Sequence, residues 1–386
     1  MRVFVLGAGR MGSVIVKDLL FSKLESLELG FGDIDLNRAQ DLVKQSDSGQ
    51  AFKVDVTKID DLSQVISGYD VVVNASWYEY NLHVMKACLK AKCGYNDLGG
   101  LFHMTLQQLK LQDEAMKSEI TMIVGGGESP GITNVMSYLA AEQMSSVDSV
   151  RIFCGAKDNA GEKTVFPFSV ATVIDEYTKN PVEYLDEQFV ELPPLSGDEK
   201  VAFPDPIGEN VCHYSIHSEP ATLPYSIGRG VKNVEFKLGV SEKMLKTLKP
   251  LIEIGMISEN PKVILNGLSV SPKEFLISFF NSRGEIGNSL ERYVALRSAV
   301  VGKIEGNESI ITCDLVSGPK REWGVPNGTA YLTGVAGSIF SQLLVQGKIE
   351  RRGVVPPELA VSPALFIQEL AKRGIEVSRN VMPFAN

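Results

Sequence analysis

The sequence predicts an α/β fold in two main parts. A doubly wound parallel sheet covers residues 1–146, a second α+β domain on an open sheet covers 147–328, and a C-terminal segment covers 329–386. Three observations carry this reading. Short β-rich apolar runs alternate with stretches of helical spacing through the first part, which calls for right-handed crossovers and helices on both faces of a parallel sheet. From about Val147 the texture changes to strand runs mixed with helices. A length of 386 residues also corresponds to two or three domains.

The elements follow in order. RVFVL, Arg2 to Leu6, is a strand, GAGRMG a turn, and VIVKDLL the start of a helix. Leu27, Leu29 and Phe31 alternate with Glu28 and Gly30, giving a second strand that ends near Asp33. Leu36 to Lys44 reads as a helix, Ala51 to Val56 as a strand, and Asp60 to Ile66 as a short helix stopped by Gly68. The strand DVVVNA, a helix over Asn81 to Lys92, the strand CGYNDL, a helix over Leu106 to Ser118 and the strand TMIV complete the first part. In the second part, Phe166 to Asn180 holds a short helix, and Leu192 to Pro206 reads as irregular. Helices are expected over Ser241 to Ile254 and Pro272 to Asn281. A β-hairpin joins Val294–Ile304 to Ser309–Val316 through Glu305-Gly306-Asn307, and a long helix spans Thr329 to Gln346.

Composition excludes several classes. Hydrophobic residues at 44% and charged residues at 22% are ordinary globular values, so a disordered chain is disfavoured. A net charge of −9 with no basic patch argues against nucleic acid as a partner. Five scattered cysteines without a CxxC pair fit free thiols in a reducing compartment. The apolar N-terminal run stops at a glycine loop bearing Arg10, and no stretch reaches a span of ~20 apolar residues. A cytoplasmic protein without a membrane partner is expected.

The strongest local motif is Gly7, Gly9 and Gly12 in a GxGxxG placed between a strand and a helix. The glycines allow a tight turn, close approach of a pyrophosphate and helix-on-strand packing, while the helix N-terminus favours the phosphates. This is the fingerprint of a Rossmann-type dinucleotide site, with Arg10 and Met11 inside the loop. Asp33 lies 21 residues past Gly12, where a carboxylate accepts from the adenosine ribose and repels a 2′-phosphate, so NAD is expected rather than NADP. Asp35 is a second acid at that position. Asp55 and Val56, and then Asn74, Ala75 and Ser76, end later strands, where they read either as loop caps or as cofactor contacts. Two further glycine junctions follow, DLGG (Asp97 to Gly100) and GGGESPG (Gly125 to Gly131). Asp97 is a proton acceptor or a turn-forming carboxylate, and Glu128 a proton acceptor or a charge complement to the next helix. Trp77, Tyr78 and Tyr80 are substrate walls or packing. Cys212, His213 and His217 are tested as a zinc site, but alternation in VCHYSIH puts Cys212 on the opposite face, and no metal is expected.

Taken together, GAGRMG, DVVVNASWYEYN, DLGG, the GxxPG turn and the ending RRGVVPPELAV…FIQELAKRGI resemble the saccharopine dehydrogenase family, and within it the lysine 6-dehydrogenases. The resemblance implies a Rossmann domain, a second domain with a mixed sheet, and a C-terminal stretch packing back on the first. It further implies NAD-linked oxidation of an amine-bearing carbon of an amino acid, by a homodimer or larger homo-oligomer. Tyr78 and Asn81 match the family's aromatic-x-x-Asn, and Asp97, Gly99 and Gly100 its Asp-Leu-Gly-Gly. Gly127, Pro130, Gly131 and Asn134 match the turn and helix start, and Thr222, Leu223 and Pro224 a Thr-Leu-Pro segment near the substrate. The chain departs from the pattern at Ser218-Glu219-Pro220, at Tyr225 with Arg229 beyond it, and at Gly239-Val240.

The expected reaction is oxidation of L-lysine at C6 to allysine and ammonia. Glu128 or Asp97 would take the ammonium proton, which must leave before hydride can, and Arg229 or the backbone N–H groups at the helix starting near Ile132 would hold the substrate carboxylate, beside Tyr78, Asn81, Thr222 and Tyr225. A saccharopine-type or carboxy-polyamine dehydrogenase acting on a secondary amine is the alternative. Saccharopine's three carboxylates would need several cations from among Arg229, Arg283, Arg292, Arg297 and Arg321. A dinucleotide-binding sensor without catalysis is a third class.

Overall fold

The computed structural model describes residues 1–46, 48–159, 166–282 and 290–384. The first sheet is built from β1 (Arg2–Leu6), β2 (Glu28–Asp33), β3 (Gln50–Lys53), β4 (Val71–Asn74), β5 (Gly94–Asp97) and β6 (Thr121–Ile123). The helices between them are α1 (Arg10–Phe21), α2 (Leu36–Ser46), α3 (Ile59–Val65), α4 (Asn81–Ala91), α5 (Leu101–Leu109) and α6 (Gln112–Lys117). Central strands β1 and β4 are apolar along nearly their whole length, as a sheet covered on both faces requires. The second β-rich run ends in register with the glycine loop, Leu6 opposite Gly32, so Asp33 stands at the carboxyl edge beside it.

Helix α7 (Ile132–Ala141) leads into the second sheet. Its strands are β7 (Ser146–Asp158), β8 (Val182–Leu185), β9 (Gln188–Glu191), β10 (Glu199–Phe203), β11 (Gly208–Tyr214) and β12 (Asn233–Gly239), with α8 (Val170–Thr178) and α9 (Glu219–Ile227) between them. Beyond α10 (Glu242–Glu253), a separate hairpin of β13 (Val263–Leu265) and β14 (Leu268–Val270), and α11 (Pro272–Ser282), come β15 (Arg292–Ile304) and β16 (Asn307–Ser317). The sheet is mixed, because β12 and β7 run parallel while β7, β15 and β16 are antiparallel neighbours.

The chain then returns through α12 (Gly328–Val345), β17 (Gly353–Val355), α13 (Pro357–Ala360), α14 (Pro363–Ala371) and β18 (Val377–Pro383). The first sheet is ordered β17-β6-β5-β4-β1-β2-β3 and is parallel throughout. The last strand corrects the expectation that the whole C-terminal segment packs on the first domain: β18 pairs with β16 at the edge of the second sheet. Other departures are local. One helix expected over Leu106 to Ser118 is two helices that begin at Leu101. The third strand ends at Lys53 rather than Val56, and the stretch read as irregular contains β10.

By length and composition α12 alone among the described helices could cross a membrane, yet 89% of it is buried inside the protein. It is the shared core helix, packed on α1 on one side and on β15 on the other. Gly334 permits the contact with α1, since a Cβ there would lie 2.5 Å from the Cβ of Val14. Arg373, beyond α14, closes the joint with a fork onto Asp18 of α1, Nε–Oδ1 2.6 Å and Nη2–Oδ2 2.9 Å, and Gln342 of α12 donates to Asp18 Oδ2 at 2.9 Å. Both charges are out of solvent, so removing the guanidinium leaves the Asp18 carboxylate buried without a cation. Arg373→Met is expected to lower stability by about 3–5 kcal/mol in urea unfolding, and Asp18→Leu with Arg373→Met to regain most of it. Equal losses in the single and double variants would show that charge pairing is not what secures this joint.

Candidate functional site

The carboxyl edge of the first sheet faces the second sheet across a cleft of about 270 Å³. At its cofactor end, Gly7 has φ +96° and passes so close to β4 that a Cβ would lie 2.7 Å from the backbone of Ala75. A Cβ on Gly12 would lie 2.0 Å from the carbonyl oxygen of Gly7. Gly9 differs, because a Cβ there would meet nothing within 4 Å, and the backbone is open on the side a pyrophosphate approaches. The first turn of α1 has neither a side-chain cap nor an acidic residue, so its N–H groups are free to receive phosphate.

Asp33 reaches back to this loop. Its Oδ2 accepts from Ala8 N at 2.8 Å and its Oδ1 from Asp35 N at 2.9 Å, and both oxygens keep lone pairs for a ribose diol. Arg38 lies 3.9 Å from Asp35, at the exposed side of the same turn. These features fit a dinucleotide. Met11, Ala75, Ser76 and Gly99 line the cleft, as does Asn74, whose side chain bonds both Ser76 and Asn81. Arg10 donates to the Pro167 carbonyl at 3.3 Å, tying the glycine loop to the second domain. Asp55 closes its own turn on Thr57, and like Asp33 neither it nor Val56 is part of the cleft lining.

Glu128 lies where GGGESPG meets α7 and lines the cleft. Its Oε2 is buried with no hydrogen-bond partner among the described residues. Burial pushes its carboxyl up to about 8, with the Glu176 carboxylate adding to the effect and the Arg292 guanidinium opposing both. Glu176, from the buried face of α8, is pushed by burial to about 7. His217 stacks on Phe236 with ring centroids 3.8 Å apart, and its Nδ1 is 2.5 Å from Glu219 Oε2. Ser129 and Thr133 donate to the other oxygen of Glu219 at 2.5 and 2.8 Å. Burial works against the charged imidazole, but Glu219 overcomes it and raises His217. Burial likewise opposes the Glu219 carboxylate, and His217 overcomes that and lowers it. The two form an ion pair in the cleft wall.

Several residues singled out in the sequence do other work. Asp97 is fully buried, and both its oxygens are taken, by the N–H groups of Gly99 and Gly125, the hydroxyl of Tyr95 and the amide of Gln108. It pins two glycine loops and has no face on the cleft. Thr222 bonds Asn134, which bonds Glu358 in turn, an arrangement that joins α7, α9 and α13. Tyr225 is 68% exposed beside Tyr184 and Phe189. Arg229 donates to the carbonyls of Ala141, Glu142 and Met144 at the end of α7, so it does not reach a substrate in the cleft. Tyr78 and Asn81 do line the cleft. The Tyr78 hydroxyl is spent on Asp175 at 2.6 Å, and Asn81 bridges Asn74 to the Gly99 carbonyl. Arg297 pairs with Asp314 and Arg321 with Glu291, while Arg283 lies outside the described residues. His213 is bonded to Asp198 and His217 to Glu219, which separates the histidines considered for zinc. Glu176 is a cleft group that sequence reasoning passed over, and His217 is weighed there only as a zinc ligand. Their signals were an acid on the apolar face of VATVIDEYT and a His-x-Glu spacing just before α9.

Comparisons with known proteins agree with this geometry. Residues 3–123 match the family model of the saccharopine dehydrogenase NADP binding domain, and residues 127–375 that of the saccharopine dehydrogenase C-terminal domain. Carboxynorspermidine synthase of Vibrio alginolyticus is 20% identical over 97% of this chain and 96% of its own. The enzyme of the same name from Vibrio cholerae is 21% identical over 84% and 81%. The fold is that of saccharopine dehydrogenase (L-Glu forming) from Saccharomyces cerevisiae, at a TM-score of 0.76, 17% identity and 99% coverage of both chains. With both family models matched across a dinucleotide loop and a cleft of proton-carrying groups, the chain belongs to the saccharopine dehydrogenase family, oxidoreductases that act on CH–NH groups with a nicotinamide cofactor.

Proposed function

We propose that the protein interconverts an imine and a secondary amine on a carboxylated polyamine. The observation that carries this is the charge of the cleft. Two carboxyls, Glu128 and Glu176, and one imidazole, His217, stand among its lining residues, and neither lysine nor arginine is present there among the described residues. Such a wall suits a chain of ammonium groups and offers nothing to the three carboxylates of saccharopine. The carboxynorspermidine synthases that align over most of the chain support the same reading. L-Lysine oxidised at C6 to allysine is the second reading, favoured by the same acidic wall, which suits its side-chain ammonium. A sensor without catalysis would have no use for a cleft carboxyl held near neutrality.

A bound nicotinamide dinucleotide supplies or accepts the hydride at carbon. The protein handles the proton at nitrogen. An alkylammonium titrates near ~10.4 and has no lone pair, so oxidation requires a base. Glu128, titrating at about 8, accepts that proton when ionised and returns it to the nitrogen when imine is reduced. Trp77, Phe168 and Leu238 wall the site and keep water from the reacting carbon. The His217–Glu219 pair holds a fixed positive edge against the two carboxyls, which limits the acidity of the wall.

Amine oxidation should therefore rise with pH through about 8, and imine reduction should fall over the same interval. Glu128→Gln is expected to lower kcat about 10²–10⁴-fold and flatten that limb in both directions. A retained limb in the Gln variant would move the proton-transfer role elsewhere. Initial rates with carboxynorspermidine, saccharopine and L-lysine, under NAD and NADP, test the substrate class, and turnover of saccharopine above the other two would overturn it. Asp33 supports NAD as the preferred cofactor, through a ribose hydrogen bond and repulsion of a 2′-phosphate worth about 2–3 kcal/mol, or ~30–150-fold. Asp33→Asn keeps an oxygen for Ala8 N while removing the charge, so it should erase most of that ratio, and an unchanged ratio would refute the assignment.

A further inference from the structure

The cleft does not end at Glu176. Phe168, Glu176 and Leu238 line it on one side and also line a second chamber of about 480 Å³ between α8, β11, β12 and α10. Four acids line this chamber, Asp158, Glu176, Glu209 and Glu242. Glu209 and Glu242 stand at its exposed rim, each paired with its own lysine, Lys200 at 3.2 Å and Lys246 at 2.8 Å. The cation deeper inside is Arg292, the first residue of β15, whose side chain is 15% exposed. Its Nη1 meets Asp158 at 3.3 Å, a long contact, while its Nε is buried with no hydrogen-bond acceptor among the described residues.

A buried guanidinium N–H without an acceptor is a costly arrangement for a folded protein and a useful one for a binding site. The guanidinium fork matches a carboxylate, which takes two parallel N–H bonds. The position also suits the reaction, because Arg292 lines the same chamber as Glu176, the acid that faces both chambers, and its charge is felt by Glu128 as well. We propose that the second chamber holds the carboxylate-bearing end of the substrate, with Arg292 as its anchor, while the reacting amine lies in the first. This rests on the carboxylated amine proposed above and adds where the carboxylate is recognised. It also replaces Arg229, whose guanidinium is committed to the end of α7.

The test is equilibrium binding by calorimetry with NAD present, so that it does not depend on turnover. The probes are carboxynorspermidine and L-lysine, each beside its decarboxylated counterpart, norspermidine and cadaverine. The wild type should bind the carboxylated member of a pair about 10–150-fold more tightly, and Arg292→Gln should bring that ratio close to one. Arg292→Lys, which keeps the charge beside Asp158 but loses the fork, should give an intermediate ratio and serves if the Gln variant fails to fold. Equal weakening of both members in Arg292→Gln, with the pH limb of Glu128 displaced upward, would show that Arg292 acts only on Glu128 and would overturn the proposal. No preference for the carboxylate in the wild type would also overturn it. A wild type that binds carboxylated amines through Arg292 yet oxidises none of them would refute the proposed reaction and leave this site standing.

Discussion

The structure depends on one joint, where α1, α12 and the segment after α14 meet around Asp18 and Arg373. The chain leaves the first sheet through α7, builds most of a second sheet, and must come back to complete the first with β17. Helix α12 makes that return, buried through nearly all of its length. A helix without a polar face has only packing to fix its rotation, and packing alone tolerates sliding. The Asp18–Arg373 fork, with Gln342 on the same carboxylate, supplies direction, and Gly334 sets the depth of approach. The consequence reaches the site. Helix α1 begins at the glycine loop, while Thr329 and Thr333 of α12 line the cleft, so one helix contact sets the cofactor end against the substrate wall.

Inside the cleft, burial moves ordinary carboxyls into the neutral titration range. Glu128 and Glu176 make no ion pair, so desolvation outweighs the pull of Arg292 on both and of His217 on Glu176, and both titrate near neutrality. Glu219 is buried as deeply but has an imidazole at 2.5 Å and two hydroxyl donors, and it remains ionised. Three glutamates in one wall therefore hold different protonation states through their neighbours alone. That separation is what acid–base work at neutral pH requires.

How much of this was legible in the sequence follows from how local each constraint is. The glycine loop, Asp33 at the end of β2, and the helix after GGGESPG rest on backbone geometry within a few residues, and they appear where the spacing places them. Asp97 was not legible, because its strand-end position is the same whether it faces the cleft or the two loop N–H groups that claim it. Arg229 and Tyr225 fail for a related reason. The αL conformation of Arg229, φ +55°, aims its side chain at α7, a contact 85 residues away in the chain for Met144. Glu219 read as part of a departure from the family pattern, yet that residue makes His217 a charged group. The strand β18 lay beyond reach because its pairing with β16 gives no signal in a sequence rich in polar residues.

On the proposed reading, the charge layout also acts by exclusion. An extra carboxylate in the first chamber would face Glu128 and Glu176 with only His217, already paired to Glu219, as a cation on its wall, and a buried anion without a free partner is far more costly than one left in water. Rejection therefore needs no steric device, since unpaired negative charge is enough. An ammonium in the same place meets acceptors that can also share its proton, so recognition and proton transfer draw on the same two side chains. Placing the lone deep arginine on the far side of Glu176 keeps these demands apart. It can receive an anion without sitting directly at the amine, and its field still draws Glu128 back towards the range where a carboxyl both gives and takes a proton.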